Sequence, residues 1–145
     1  MDSRTPPRIE DYPHVTRDKL RFADMDRQGH INNVVFMVLI EQARCEVIYD
    51  PANPLAPEGC AFVVAHVSID FLSEMLWPGE VETATRILSV GRSSIKIEQA
   101  LFQNGKPCAR ALSVVVLTDT QTRRSTPLPQ EAVARLDAMK APSGA

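Results

Sequence analysis

The chain has 145 residues, 44% of them apolar and 23% charged, with a formal net charge of −2. That is enough for one domain with an ordinary core, and too close to neutral to carry an electrostatic footprint for nucleic acid or an anionic membrane. Three scattered cysteines, Cys45, Cys60 and Cys108, form no C-x-x-C pair and have only three histidines beside them, which argues against a zinc site or a disulfide framework.

Reduced thiols fit a cytoplasmic protein. The N-terminus is polar and proline-rich, without the pattern of a signal peptide, and no apolar run approaches the ~20 residues that cross a bilayer. No metal and no cofactor is expected.

In chain order, residues 1–14 hold Pro6, Pro7 and Pro13 among charges and read as a flexible N-terminal arm. Val15 to Ala23 is a strand candidate with Leu20 and Phe22 on one face. A polar turn follows, and then the apolar run Val34 to Ile40. That run would pass for a buried strand by residue type, but the pattern continues to Tyr49 without a turn residue. Its length argues for a helix over 33–49, with Val35, Leu39, Ala43 and Val47 on one stripe. The first two turns are apolar on every side, so that half of the helix is expected to be surrounded by protein. Glu41 and Arg44 are spaced for an i,i+3 pair.

Pro51, Pro54 and Pro57 mark 50–59 as a loop. The second half reads as antiparallel strands over 62–75, 81–90, 95–103 and 108–118. Trp77-Pro78-Gly79-Glu80 reads as a type II turn, Gly91 to Ser94 as a connection and Asn104-Gly105 as a hairpin turn. Pro129 suits N1 of a last short helix with Val133, Leu136 and Met139 inward. Residues 15–140 thus form a single domain, and 141–145 a tail. A five-stranded sheet wrapping one buried helix satisfies this order, a two-layer α+β domain.

The densest chemistry lies between Asp24 and Asn33. Asp24, Asp26, Gln28 and Gly29 imitate the start of an EF-hand loop, but its twelfth position is Val35 rather than glutamate, and a strand precedes it, so calcium is not expected. A strand, a turn and a helix start fit better. Gly29 permits the turn, and Asn32 or Asn33 can cap the helix. The free N–H groups of that helix would then face a loop carrying Asp26 and His30. A carboxylate facing a helix N-terminus is half of an acyl-transfer site: the amides hold an oxyanion, and the carboxylate activates water or attacks. The competing reading is that these residues serve only as turn and cap.

Aspartate, two residues, then Gly29-His30-Ile31-Asn32-Asn33 and an apolar helix with Glu41-Gln42-Ala43-Arg44 resembles the signature of hotdog-fold acyl-CoA thioesterases of the 4-hydroxybenzoyl-CoA thioesterase type. Val67 to Phe71, Gly91-Arg92-Ser93-Ser94 and the closing Pro-Leu-Pro also resemble it, over roughly 15–129. The resemblance implies a hotdog fold, a curved antiparallel five-stranded sheet around one long central helix. It implies hydrolysis of an acyl-CoA thioester to free acid and CoA. Asp26, rather than Asp24, would be general base or nucleophile, with backbone amides near Asn33 to Val35 as the oxyanion site.

By the same resemblance Asn33 and His30 belong to the catalytic group, Asn32 and Val34 to the substrate site, and Arg92, Ser93 and Ser94 to the coenzyme A arm. One branch of relatives has histidine where Asn33 stands, and an amide does not shuttle protons near neutral pH. Val34, Phe36, Met37 or Ile40 would line the acyl pocket. His30 reads either as a partner of Asp26 or as a structural tether, and His66 as sheet surface or interface. Hotdog relatives pair edge to edge, so a homodimer or homotetramer with sites at the subunit interface is implied, and an open strand edge argues the same physically. The alternatives on this fold are a non-catalytic acyl-CoA-binding module and hydratase or dehydratase chemistry, and fold alone does not choose between them.

Overall fold

The computed structural model describes residues 5–141. Strand β1 (His14–Lys19) precedes helix α1 (Asn33–Ile48), and strands β2 (Cys60–Phe71), β3 (Glu80–Val90), β4 (Ser94–Gln103) and β5 (Lys106–Asp119) and helix α2 (Gln130–Asp137) follow. The strands form one antiparallel sheet in the order β1-β3-β4-β5-β2. The curved sheet packs around α1, which is the hotdog arrangement.

Two apolar clusters join sheet to helix. Phe36, Leu39 and Ile40 of α1 meet Leu20, Val81, Leu101 and Met75 at one end. Val47 and Ile48 meet Ile87, Ile97, Leu117 and Leu136 of α2 at the other. Between the clusters, the buried Gln99 amide of β4 donates to Ile40 O of the helix at 2.9 Å and to Thr85 Oγ1 at 3.2 Å. A polar side chain can sit in this core because its donors are satisfied.

Several expectations are corrected. β1 stops at Lys19, and a 3-10 turn over Phe22–Asp24 follows instead of more strand. β2 ends at Phe71 rather than Met75, because Leu72 and Ser73 N–H groups turn to Cys108 O. The Trp77–Pro78 peptide is cis and Gly79 has φ +155°, which is not a type II turn. Asn104 and Gly105 do have positive φ, as their hairpin requires. Pro129 is the N-cap of α2, one position before N1.

The arm is the largest correction. Residues 1–4 lie outside the described part, but residues 5–13 lie across the outer face of the sheet, opposite α1. Tyr12 OH donates to Glu98 Oε1 at 2.7 Å, and Arg110 donates to Thr5 O at 2.7 Å. Ile9 packs with Ala84, Ala100 and Phe102. Glu98, wholly buried, also pairs with Arg86 at 2.8 Å. Prolines suggested a loose segment, yet the partners of this one lie on β3 to β5 and outweigh local composition.

The first turns of α1 are not enclosed within one chain. Val34 is 61% exposed and Val38 51%. Glu41 and Arg44 do not pair; neither has a hydrogen bond or ion pair among the described residues. No helix of the described residues is long and apolar enough to cross a membrane.

Candidate active site

The loop between β1 and α1 is closed by its own backbone. Met25 and Ile31 form an isolated antiparallel bridge. Asp26 N donates to His30 O at 2.7 Å, Gly29 N to Asp26 O at 3.1 Å, and Asn32 N to Asp24 O at 2.8 Å. Gly29 has φ +83°, which a side chain would oppose. Ile31 N donates to Met75 O at 3.0 Å, fixing the loop to the segment after β2.

The two aspartates of this loop are used differently. Asp24 is 5% exposed. Its Oδ2 accepts from Arg21 N at 2.8 Å, and its Oδ1 from Arg21 Nε at 3.1 Å and NH2 at 2.8 Å. Burial acts to raise this carboxyl, but the bonds from Arg21 outweigh it and hold it below the usual carboxylate range. In Asp26 only Oδ1 is engaged, accepting from Gln28 N at 2.8 Å and His30 N at 3.1 Å. Oδ2 has no hydrogen bond among the described residues. One oxygen anchors the carboxylate, and the other is available to a ligand.

Asn32 caps α1. Its Oδ1 accepts from Val34 N at 3.0 Å, and its carbonyl from Val35 N at 2.9 Å. The expected oxyanion donors therefore narrow. The amides of Val34 and Val35 are taken, whereas the Asn33 N–H at the helix start has no acceptor among the described residues. An unpartnered amide at a helix start favours negative charge.

Asp26, His30 and Asn33 line one open groove of about 340 Å³, together with Phe36, Phe71, Leu72, Ser73 and Glu74. The Phe36 and Phe71 rings meet edge to face at 5.2 Å and form its apolar wall. Of the expected acyl-pocket residues, Phe36 is there. Ile40 is sealed in the core, and Val34 and Met37 are exposed on the helix flank. His30 sits beside Asp26, but its ring is not turned to it. Its Nε2 lies 3.0 Å from Glu74 Oε2, while only its backbone touches the Asp26 carboxylate. Glu74 escaped notice in the sequence because it belongs to no local motif, and only the fold brings it beside residue 30. His66 is exposed on β2, next to a bulge, as surface or interface would require.

Arg92, Ser93 and Ser94 are elsewhere. Their hairpin is tied to the chain after β5, Leu128 N donating to Arg92 O and Leu117 N to Ser93 O, both at 2.8 Å. Ser94 pairs with Val116, and Val116 with Val63 of β2, whereas the Asp26 groove lies by Phe71. At ~3.3 Å per strand residue, Val63 and Phe71 are about 26 Å apart. A single chain does not bring the two groups together. Among the described residues no cluster of three or more His, Cys, Asp or Glu side chains could hold a metal ion.

This sheet, central helix and pinned acidic loop define the thioesterase type of hotdog domain. The chain belongs to the thioesterase-like superfamily, which matches residues 20–136. Among solved structures it is similar to a protein of Pseudomonas aeruginosa, at 27% identity and TM-score 0.82, over 94% of this chain and 98% of that one. It is similar to a thioesterase of Thermus thermophilus complexed with coenzyme A and zinc, at 32% identity and TM-score 0.74, over 86% and 98% of the two chains. A predicted thioesterase of Bacillus stearothermophilus is 28% identical with TM-score 0.79, over 87% and 95%. A search of the curated proteins gives no match.

Proposed function

We propose that this chain hydrolyses an acyl-CoA thioester to the free acid and CoA, with Asp26 as general base or nucleophile. The observation that carries the reading is the half-engaged Asp26 carboxylate in one groove with Asn33, at the start of α1. As a base, Asp26 Oδ2 takes a proton from water as the water oxygen bonds to the thioester carbon. The carbonyl oxygen gains negative charge, which the Asn33 N–H holds. The intermediate then collapses, the C–S bond breaks, and the sulfur leaves as thiolate. A thiolate is stable enough that no strong acid is needed at the leaving group, thiols having pKa values near 8.5. As a nucleophile, Oδ2 would instead bond to the acyl carbon, expel the thiolate and leave an anhydride for water to open. In both courses His30 holds the loop through Glu74 and does not carry the proton.

Coenzyme A as carrier is supported by the Thermus thermophilus relative, whose complex contains it. The working form is a homodimer or homotetramer. β2 is an edge strand with exposed Val63 and Val64, and open edges of this kind invite a second strand. Antiparallel pairing of two β2 strands would set the Arg92-Ser93-Ser94 hairpin of one copy toward the Asp26 end of the other. Arginine and hydroxyls suit the phosphates of CoA. Hydratase chemistry is less well supported, because the candidate acid–base pair, His30 with Asp26, does not form through the ring.

The test is thiol release from short, medium, long and aromatic acyl-CoAs, beside hydration of crotonyl-CoA. Release on at least one chain length with no hydration is expected. Binding of acyl-CoA with no release from any of them would replace hydrolysis with a binding module.

A further inference from the structure

Arg44 of α1 is almost covered by its own chain. It is 5% exposed, and no hydrogen bond or ion pair reaches it from the described residues. Its guanidinium nitrogens still reach the surface, and a neighbour that covered them would have to supply an anion, because burying an arginine without one is costly. Glu41, three residues earlier and exposed, is equally without one. Residues three apart share a helix face, so both lie on one flank of α1.

The flank can be placed. Glu46 comes within 4.0 Å of His14 in β1, so its side of the helix faces that edge of the sheet. Arg44 precedes Glu46 by two residues, about 200° of helical turn, and so faces the β5–β2 edge. Two contacts then set the helix along β2. The Phe36 and Phe71 rings are 5.2 Å apart, and Tyr49 OH donates to Phe62 O at 3.1 Å. The helix and the strand therefore run in opposite directions. Midway between those contacts α1 is at Gln42–Ala43 and β2 at His66–Val67. The middle of β2, which spans Cys60–Phe71, is Ala65–His66.

The geometry points to an intersubunit ion pair: Arg44 of one copy with Glu41 of the partner subunit, formed twice about a two-fold axis at the middle of β2. Such an axis passes beside Gln42–Ala43 and carries residue 41 of one copy to the level of residue 44 of the other. The occupant of this flank is a second copy of the chain, since the unmatched cation and the unmatched anion complement each other only under that symmetry. The exposed Val34 and Met37 continue the same flank toward the groove and would be covered with it. This rests on the dimer reading above and deepens it by assigning the charges that fix its register.

The test uses two charge-reversed chains, Glu41→Arg and Arg44→Glu, each followed by sedimentation alone and in an equimolar mixture. Each alone sets like charges across the axis twice and is expected to self-associate at least ~30-fold more weakly than wild type, the scale for losing a close interfacial charge partner. Mixed, they restore both pairs, and a heterodimer near wild-type affinity is expected. Mixing that restores nothing, with wild type still dimeric, overturns the pair and leaves the dimer standing. A wild-type monomer at micromolar concentration overturns both. If Arg44→Glu does not fold, the cycle of Glu41→Gln, Arg44→Gln and the double variant replaces the mixture. Equal weakening by all three supports the pair, and additive weakening rejects it.

Discussion

Two polar clusters lie on opposite faces of this sheet. On the outer face Glu98 is wholly buried, accepts from Tyr12 at 2.7 Å and pairs with Arg86 at 2.8 Å, while Arg86 lies 4.9 Å over the Tyr12 ring. Both Glu98 oxygens are engaged inside the chain, and the cluster fastens residues 5–13. Beside the α1 N-terminus, Asp26 has one oxygen fastened and one left over, and Asn33 lines the same groove. The residue types are alike, but their valences are not. A carboxylate with all its acceptor sites used holds architecture together, whereas one with a spare oxygen beside an apolar wall can meet a substrate. Asp24 and Asp26 repeat the contrast within a single loop.

The contrast can be broken from the structural side first. Glu98→Ala leaves Arg86 buried without its anion and is expected to cost about 3–5 kcal/mol in urea unfolding. The activity of the remaining folded protein should be little changed, and a selective loss of turnover would blur the distinction between the two faces. Tyr12→Phe removes one hydrogen bond to a charged group, and about 1.5–3 kcal/mol is expected. Burial first, then the bond to Glu98 and its charge, raise the Tyr12 phenol far above its ordinary value. Its contribution is therefore full below the ordinary tyrosine pKa of about 10 and is lost as pH rises toward the folded value. The variant should lose that part of the alkaline decline in melting temperature.

Asp24→Asn is the smallest, about 1 kcal/mol, since Arg21 is largely exposed. Its carboxyl is depressed on folding, so the stabilisation is present above the ordinary carboxylate pKa of about 3.9 and lost as pH falls through the folded value. Acid titration of wild type should show that loss, and the variant a flatter acid limb.

What could be read from the sequence was local. The long helix, the Asn104-Gly105 hairpin and the Asp26-to-Asn33 turn each declare themselves within a few residues, because period, cap and turn chemistry act over that range. The residues that escaped depend on distance along the chain. Tyr12 meets Glu98 across 86 positions, and nothing near Tyr12 signals it. Glu74 reaches His30 only because Ile31 N is bonded to Met75 O. The role of Asn33 was legible as a helix start, but which amide stayed open depended on Asn32 taking the next two. Arg92 to Ser94 were expected at the coenzyme A arm and lie at the far end of the sheet from the Asp26 groove, since a motif does not tell how far along a strand it sits from another.

The central measurement is turnover of the preferred acyl-CoA by Asp26→Asn, read beside its thermal unfolding. The substitution keeps an oxygen to accept from the Gln28 and His30 amides, so the melting temperature should stay near that of wild type. The rate should fall at least ~100-fold, the scale of losing a general base. Turnover close to wild type in a folded Asp26→Asn protein would contradict the assignment and move the chemistry away from the α1 N-terminus.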